Sequence, residues 1–315
     1  MSDVILEVDD LVVEFGPVKA VSNISFTVQQ GETLGLVGES GCGKSSTARA
    51  VMQLPRPTSG SVKLHGQELT EAKGNELRAL RPKMQMIFQD PISSLNPRRT
   101  VLEIVASPLE VVGWGDAVSR REAVVKALEA VGLDPEISLG RRPHEFSGGQ
   151  CQRISIARAL VLDPEMLICD EPVSALDVSV QAQILNLLHE MKDRYHLTML
   201  FISHDLAVVK NICDRVAVMY LGKICEIATS DELYANPRHP YTRALLAAVP
   251  EPDPTVRPEP INLMSGELPS PMNPPSGCRF RTRCPLAQKK CAEVEPVMED
   301  AAPGHQIACH FPVTN

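Results

Sequence analysis

Residues 38–45 read Gly38-Glu39-Ser40-Gly41-Cys42-Gly43-Lys44-Ser45 and match the pattern G-x-x-x-x-G-K-[ST] at every fixed position. The three glycines allow a tight turn whose backbone N–H groups, with a following helix N-terminus, can bind anionic oxygens. Lys44 adds a positive charge for β- and γ-phosphates, and the Ser45 hydroxyl suits a Mg²⁺ ligand. This phosphate loop (residues 38–45) predicts a nucleotide site; the alternative is a chance glycine turn.

The segments on both sides of the phosphate loop favour the nucleotide site. Thr33–Val37 is a compact apolar run that predicts a buried strand, and a helix is expected at about Lys44–Gln53. Residues 4–37 alternate apolar and polar residues and predict short strands. Cys42 stands at a free position of the pattern and Ser46 is the next helical residue, so the pattern alone gives neither a role.

Farther along the chain, helical and strand patterns alternate. Val101–Val112 and Ser119–Val131 have helical spacing and predict a helical insertion. Met166–Cys169, Thr198–Ile202 and Arg215–Tyr220 are apolar runs that predict strands. The sequence therefore predicts an α/β fold with a mainly parallel sheet that is covered on both faces.

Composition limits the classes of protein to consider. The chain has 315 residues, of which 43% are hydrophobic and 22% charged, as in ordinary globular proteins. No apolar run reaches the length of a membrane span, and the N-terminus MSDVILEVDD lacks a signal-peptide pattern. The net charge of −8 argues against a nucleic-acid partner. We therefore expect a cytoplasmic protein that serves a membrane, if at all, by docking onto another protein.

A second acidic site follows the run Met166–Cys169. Asp170 and Glu171 end this predicted strand, where buried carboxylates are costly unless a cation or water uses them. Asp170 is expected to hold Mg²⁺ directly or through water, and Glu171 to act as general base on the attacking water. Taken alone, a solvated strand end is an equal alternative.

The segment Phe146-Ser147-Gly148-Gly149-Gln150, followed by Gln152–Leu160, resembles the signature loop and helix of ABC-type ATPases. Ser147 is a good helix N-cap, and the two glycines expose N–H groups to an anion; a generic cap is the alternative. Cys151 stands where an Arg or another large residue is more usual. We expect this departure to change packing rather than the phosphate contact.

Other elements resemble the same family and occur in its order. Gln89 resembles the Q-loop glutamine, Asp177 the D-loop aspartate, and His204 the switch histidine that contacts the γ-phosphate. Phe15 is the candidate for stacking on adenine, although an aromatic residue in a strand is more often part of the core. A polar residue of no special role is the alternative for His204.

The resemblance covers about residues 4–230. It implies a P-loop NTPase (RecA-like) ABC ATPase core with antiparallel β and helical subdomains, followed by a Pro-rich, Cys-containing C-terminal extension. The expected domains are 1–230, with a helical subdomain at about 90–160, and 231–315.

The resemblance also implies ATP and Mg²⁺ as cofactors, in a site completed by a second ATPase subunit bound head to tail. The implied catalytic residues are Glu171, His204 and Gln89, and the implied Mg²⁺ ligands are Ser45, Gln89 and Asp170. The implied nucleotide contacts are Phe15, Gly38, Glu39, Ser40, Gly41, Cys42, Gly43, Lys44, Ser45, Ser46, Asp170, Ser147, Gly148, Gly149, Gln150 and Asp177.

The second half of the chain resembles dipeptide and oligopeptide importers, and F-type dipeptide-importer ATPases most of all. The residues that carry this likeness are Asp90–Arg98, Asn236–Leu246, Gly266–Pro271 and Pro274–Cys278. It implies uptake of di- or oligopeptides at the cytoplasmic face of the bacterial inner membrane. The implied partners are a second ATPase, identical or paralogous, two transmembrane permeases and a periplasmic or lipid-anchored peptide-binding protein.

Other functions remain alternatives at this point. Importers of nickel, glutathione and opines share parts of the pattern. A soluble ABC ATPase of DNA repair or translation is disfavoured, because the chain has one cassette and no long heptad stretch. A cluster-dependent redox protein with a vestigial nucleotide site is disfavoured too, because every hydrolytic residue is present.

Residues 250–275 are rich in proline, and we expect them to form an extended segment, without regular helix or central sheet, that leads to a cysteine cluster. The cluster consists of Cys278, Cys284, Cys291 and Cys309, whose thiolates suit an iron–sulfur cluster or zinc. The resemblance implies a [4Fe–4S] cluster; zinc and free thiols remain open.

Charged and titratable residues stand near the cysteines in the sequence. Arg279, Arg281 and Arg283 are expected either to offset cluster charge or to form a solvated basic strip. His305 and His310 are alternative ligands, more often surface residues.

Overall fold

The computed structural model describes residues 3–249 and 267–313. Its strands are β1 (Val4–Phe15), β2 (Val18–Gln29), β3 (Thr33–Val37), β4 (Ser59–Leu64), β5 (Gln67–Glu68), β6 (Met84–Ile87), β7 (Met166–Asp170), β8 (Thr198–Ser203), β9 (Arg215–Tyr220), β10 (Lys223–Thr229), β11 (Glu299–Ala302) and β12 (His305–Ile307).

The helices alternate with these strands. They are α1 (Lys44–Val51), α2 (Asn75–Leu80), α3 (Pro91–Ser94), α4 (Val101–Val112), α5 (Ala117–Ala130), α6 (Pro135–Ser138), α7 (Gly148–Leu160), α8 (Val178–Tyr195), α9 (Leu206–Ile212), α10 (Ser230–Ala235), α11 (Pro240–Ala247) and α12 (Lys289–Glu293). Two short 3₁₀ helices lie at Arg81–Lys83 and Pro143–Glu145.

The chain divides into two compact units. The loop unit comprises Val4–Val28, Glu32–Thr70 and the described residues from Ser203 onward, and it contains the phosphate loop. The helical unit comprises Gln29–Gly31 and Glu71–Ile202.

The loop unit contains antiparallel and parallel strand pairs. One sheet has the order β2-β1-β4-β5, with Leu6 of β1 opposite Leu64 of β4. Elsewhere in the unit β3 pairs in parallel with β9, and β9 pairs antiparallel with β10. All five residues of β3 are buried, which is expected of a parallel strand that is covered on both faces.

The helical unit is built on the parallel strands β6, β7 and β8, with Met84 opposite Met166 and Met166 opposite Thr198. Every residue of β7 is buried, and α7 packs against β6. Helices α4 and α5 pack against α7, as expected for a helical insertion. Parallel strands alternate with helices in this unit, so the α/β prediction is confirmed.

The predicted elements differ from the structure mainly in length. Strands β1 and β2 have 12 residues each and are longer than the short strands predicted. Gly16-Pro17 forms the turn between them. Helix α1 ends at Val51, and Gln53 already has a left-handed backbone with φ 58°. Helix α5 begins at Ala117 because Asp116 caps it, accepting a hydrogen bond from Ser119 N at 2.8 Å.

The C-terminal region contains regular structure beyond its proline-rich segment. Residues 289–293 form α12, and β11 and β12 form a hairpin whose second strand pairs antiparallel with β10. Of the proline-rich segment, residues 250–266 lie outside the described residues, and residues 267–275 contain neither helix nor strand. Free backbone groups along β10 give β12 its partners, which a composition argument cannot reveal.

His305 is buried rather than at the surface, because β12 lies beside β10. Its side chain is 1% exposed, and Nε2 lies 2.7 Å from Glu226 Oε1. The fully buried Glu226 carboxylate also accepts hydrogen bonds from Arg238 N at 2.7 Å and His239 N at 3.0 Å. One carboxylate thus joins β10, β12 and the start of α11.

His239 is a second buried histidine in this region. It caps α11, since its Nδ1 accepts a hydrogen bond from Tyr241 N at 3.0 Å. Burial lowers the pKa of His239 from 6.5 to about 4, and the Glu226 carboxylate opposes only part of that shift. The folded protein therefore holds this ring neutral at a pH where the unfolded chain binds a proton.

We predict that His239 makes the fold sensitive to mild acid. Its contribution is fully present above the unfolded pKa of 6.5 and is lost as the pH falls through the folded pKa of about 4. The free energy of unfolding should fall by about 2 kcal/mol between about pH 7 and about pH 5 from this group. The measurement is urea unfolding of wild type and His239→Asn across that range, since Asn can still cap α11. Parallel pH profiles for the two proteins would show that the prediction is wrong.

Candidate functional site

The phosphate loop connects β3 to α1, and its glycines are required by the surrounding backbone. Gly38, Gly41 and Gly43 have φ of 151°, 80° and 109°. A Cβ on Gly38 would lie 2.1 Å from Met219 O, and one on Gly43 would lie 2.2 Å from Ala20 O. A side chain would therefore displace backbone at both positions.

Lys44 and the start of α1 make this loop a site for an anion. The 4% exposed Lys44 places Nζ 2.8 Å from Gly38 O and 3.1 Å from Glu39 O. No side chain caps α1, and the N-terminus of a helix attracts anions through its backbone N–H groups. Ser45 and Ser46, in the same turn, are half-buried. These features fit a phosphate chain.

Cys42 points into the core and not toward solvent. It is 1% exposed, its Sγ lies 3.9 Å from Lys44 Nζ, and burial raises the pKa of its thiol. The thiol is therefore neutral at ordinary pH. Only the backbone of Cys42 has a use in binding phosphate.

Two further predicted residues of the loop unit are accessible. Phe15 ends β1 and is 49% exposed, which excludes the alternative of a core aromatic. His204 is exposed just before α9, whose N-cap Asp205 accepts a hydrogen bond from Ala207 N at 2.8 Å. Both side chains are therefore open to a ligand.

In the helical unit, β7 ends in the predicted acidic pair. Asp170 is 1% exposed, whereas Glu171 is half-buried and has a left-handed backbone with φ 46°. This conformation is costly for a residue other than glycine. It is held by the hydrogen bonds from Glu171 N to Ile202 O at 3.1 Å and from Ser174 Oγ to Glu171 O at 3.1 Å.

The structure brings together two of the predicted catalytic residues. Gln89 Nε2 donates a hydrogen bond to Glu171 Oε2 at 2.9 Å, although 82 residues separate them. The bond holds the carboxylate in one orientation. The donor set of this unit, with the Asp170 carboxylate and the Gln89 amide oxygen, fits Mg²⁺, which prefers hard oxygen ligands.

The predicted signature loop forms the N-terminus of α7. Ser147 Oγ accepts a hydrogen bond from Gln150 N at 3.3 Å, and Gln150 Oε1 accepts one from Ser147 N at 3.0 Å, which completes a capping box. A Cβ on Gly149 would lie 2.6 Å from Val180 Cγ1, so the helix lies close to α8. Gly148 and the exposed Asp177, which precedes α8, flank this contact.

Cys151 lies on the buried side of α7. It is 1% exposed, and its Sγ contacts Pro143 O at 3.5 Å. A larger residue at this position would have to displace the 3₁₀ turn at Pro143–Glu145. The departure from the family pattern thus concerns packing, while Ser147, Gly148 and Gly149 keep their places at the helix end.

The iron–sulfur prediction is wrong. Cys278, Cys284, Cys291 and Cys309 do line one small cavity, together with Phe280. However, the described residues contain no group of three or more His, Cys, Asp or Glu side chains arranged to hold a metal ion. Burial raises the pKa of Cys278, of Cys284 and, to about 12, of Cys309.

The nearby arginines are neither cluster counter-ions nor a solvated strip. Arg283 is 8% exposed, and its guanidinium lies 2.7 and 3.0 Å from the two oxygens of Glu39. Arg279 donates to Ser22 Oγ at 2.9 Å and to Leu221 O. Only Arg281 stays within its own segment, where Nε donates to Ser276 O at 2.9 Å.

Sequence reasoning missed two residues that contact the phosphate loop. Besides Arg283, Tyr241 reaches it, because its hydroxyl accepts a hydrogen bond from Glu39 N at 3.0 Å. Tyr241 stands in the stretch Asn236–Leu246 that carried the importer resemblance, so its presence was visible but its contact was not. A separation of 202 residues leaves no local signal for such a contact.

Comparison with known proteins agrees with this geometry. Residues 21–174 match the family described as ABC transporter, and residues 225–291 match the oligopeptide/dipeptide transporter C-terminal region. The chain is 53% identical to the oligopeptide transport ATP-binding protein OppF of Escherichia coli K12, over 97% of this chain and 96% of that protein.

Solved structures are similar as well. CbiO1 of Clostridium perfringens, part of the ABC transporter complex CbiONQ, has a TM-score of 0.67 at 28% identity and covers 74% of this chain and 92% of its own. The ATP-binding cassette MJ0796, solved as a dimer in a post-hydrolysis state bound to ADP and Pi, has a TM-score of 0.65 at 27% identity. That likeness covers 71% of this chain and 98% of the cassette.

The chain therefore belongs to the ATP-binding proteins of ABC transporters, and it is an ATPase of that class. More narrowly, it carries the C-terminal region that is typical of oligopeptide and dipeptide transporters. The described helices include none with the length and apolar character needed to cross a membrane.

We predict that Gly38 tolerates substitution far less than Gly41. Gly38→Ala places a methyl group against Met219 O. It should lower the free energy of unfolding by about 3 kcal/mol and abolish most of the ATP affinity. The added methyl group of Gly41→Ala meets no atom within 4 Å. This variant should lower the free energy of unfolding by about 1 kcal/mol, because only the left-handed backbone is unfavourable for alanine. Thermal denaturation and equilibrium ATP binding measure the difference. Equal losses for the two variants would contradict the packing argument.

Proposed function

We propose that this chain binds ATP at the phosphate loop and hydrolyses it as the energising subunit of an ABC importer of di- or oligopeptides. The observation that carries the proposal is the loop itself. Gly38 and Gly43 lie too close to Met219 O and Ala20 O, respectively, to carry side chains, and the loop leads into the N-terminus of α1, which no side chain caps. The backbone N–H groups at such a helix start can bind phosphate oxygens.

Mg²⁺ accompanies ATP in this proposal. The Ser45 hydroxyl, the Asp170 carboxylate and the Gln89 amide oxygen are its proposed ligands, all of them hard oxygens. The ion neutralises charge on the phosphates. Lys44 acts on the same charge, since its ammonium group donates to loop carbonyls at 2.8 and 3.1 Å and can exchange these for phosphate oxygens.

Glu171 is the proposed general base. Its carboxylate removes a proton from the attacking water, and the hydrogen bond from Gln89 at 2.9 Å keeps it oriented. The costly backbone of Glu171 supports a role in catalysis, because such strain is most often found at functional sites. We propose His204 as the γ-phosphate contact and Phe15 as the residue that stacks on adenine.

A second ATPase subunit completes the proposed site. The N–H groups around Ser147, Gly148, Gly149 and Gln150 at the start of α7 would contact the phosphates bound by the partner, with Asp177 beside them. The dimeric state of the similar cassette MJ0796 supports this arrangement. A chain without its partner is then expected to hydrolyse ATP slowly.

The proposed cargo and partners follow from the C-terminal region. The match over residues 225–291 and the likeness to OppF support peptides, carried through two permease subunits and delivered by a peptide-binding protein. The ATPase domain of residues 1–230, with its helical subdomain at about 90–160, would work at the cytoplasmic face of the membrane. Residues 231–315 would form a C-terminal extension of peptide-importer type, and no nucleic acid takes part.

We predict that Glu171→Gln stops turnover while ATP stays bound. The amide cannot accept the proton of the attacking water, so phosphate release should fall on the order of a hundredfold to ten-thousandfold. The measurement is phosphate release by the reconstituted transporter with peptide and binding protein, together with the ATP that the complex retains.

The matched control is Glu165→Gln, just before β7. Glu165 pairs with Lys83 at 3.1 Å and is 41% exposed, so its loss should leave turnover near wild type. Wild-type turnover in the Glu171→Gln transporter would remove Glu171 from its proposed role. Peptide-independent ATPase activity in the intact wild-type assembly would count against the cargo.

A further inference from the structure

An ion pair attaches the phosphate loop to the C-terminal segment, by which we mean the described residues from 231 onward. Arg283 Nη1 lies 2.7 Å from Glu39 Oε2, and Nη2 lies 3.0 Å from Glu39 Oε1. This bidentate geometry is the strongest form of arginine–carboxylate contact. The side chains are 8% and 26% exposed, so water screens the pair only in part.

Aromatic rings hold Arg283 in place. Its guanidinium carbon lies 5.9 Å from the centre of the Tyr220 ring, which packs edge-on against Tyr241 at 4.7 Å and Phe280 at 5.2 Å. All three rings are fully buried or nearly so. Arg283 therefore emerges from a packed core and is not a mobile surface side chain.

The C-terminal segment binds both the backbone and the side chain of Glu39. The Tyr241 hydroxyl accepts the hydrogen bond of Glu39 N at 3.0 Å, while Arg283 binds the carboxylate. Glu39 O in turn accepts a hydrogen bond from Lys44 Nζ at 3.1 Å. A chain of contacts thus runs from the C-terminal segment to the lysine of the phosphate loop.

The charge of Glu39 makes this attachment matter for binding. A carboxylate in a loop that binds a polyphosphate repels its ligand unless a cation neutralises it. Arg283 supplies that cation, and it fixes the carboxylate on the side of the loop that faces the C-terminal segment.

We propose that Arg283 is a positioning residue for ATP. By pairing with Glu39 it cancels a repulsive charge and holds the phosphate loop open for nucleotide, so that ATP affinity depends on a segment outside the ATPase core. The proposal rests on the proposed function, because it takes ATP as the ligand of residues 38–45.

The test compares four substitutions in the full chain with its transporter partners. Arg283→Gln should raise the Kd and KM for ATP about tenfold and change kcat less than about twofold. The double variant Glu39→Gln, Arg283→Gln should recover most of that loss, because it removes the unpaired carboxylate. Arg283→Lys should have a Kd and KM for ATP between those of wild type and Arg283→Gln, since it keeps the charge without the bidentate geometry.

The matched control is Arg281→Gln. Arg281 lies two residues away but donates only to Ser276. This variant should bind ATP as wild type does. High salt should reduce the defect of Arg283→Gln and leave the Arg281→Gln protein unaffected, because salt screens the repulsion.

The outcomes separate the two proposals. Wild-type ATP affinity in Arg283→Gln, or a double variant no better than Arg283→Gln, would overturn the positioning role. A defect in kcat alone would overturn it as well. Lys44→Ala tests the proposed function by itself: if ATP binds this variant as tightly as wild type, then residues 38–45 are not the ATP site, whatever Arg283 does.

Discussion

The close approach of backbone to backbone around the phosphate loop constrains the rest of the molecule. Gly38 lies against the carbonyl of Met219, and Gly43 lies against that of Ala20. These contacts leave no room for a side chain at either glycine, so they fix the position of the loop. Buried β3, which pairs with β9, holds the loop from one end, and α1 holds it from the other.

The proposed catalytic residues lie in a different part of the chain. Glu171 occupies an unfavourable backbone conformation at the end of β7, and Gln89 binds its carboxylate from beyond β6. Strands β6 and β7 are parallel neighbours, so their carboxyl ends lie at the same edge. This explains why two residues far apart in sequence meet, and why a strained residue is retained there.

The C-terminal extension is part of the folded loop unit and not a loose appendage. β12 pairs with β10, and the buried Glu226 carboxylate ties His305 to the start of α11. From this base Arg283 reaches Glu39. The four cysteines lie in the same region and line one cavity. The C-terminal region that is typical of peptide transporters within the family is therefore in contact with the phosphate loop.

The sequence by itself determined those features that need only neighbouring residues: the phosphate loop, the capped start of α7, strands β7 to β9 and the acidic residues that end β7. Such features follow from local backbone geometry, capping and periodicity. Only the tertiary structure decided the Gln89–Glu171 bond, the Arg283–Glu39 pair across 244 residues, and the burial of His305. These depend on which strands become neighbours and how their side chains pack, and no local pattern encodes that. The same limit applies to the four cysteines, because a sequence does not show whether side chains converge on a metal ion, and the described residues contain no such group.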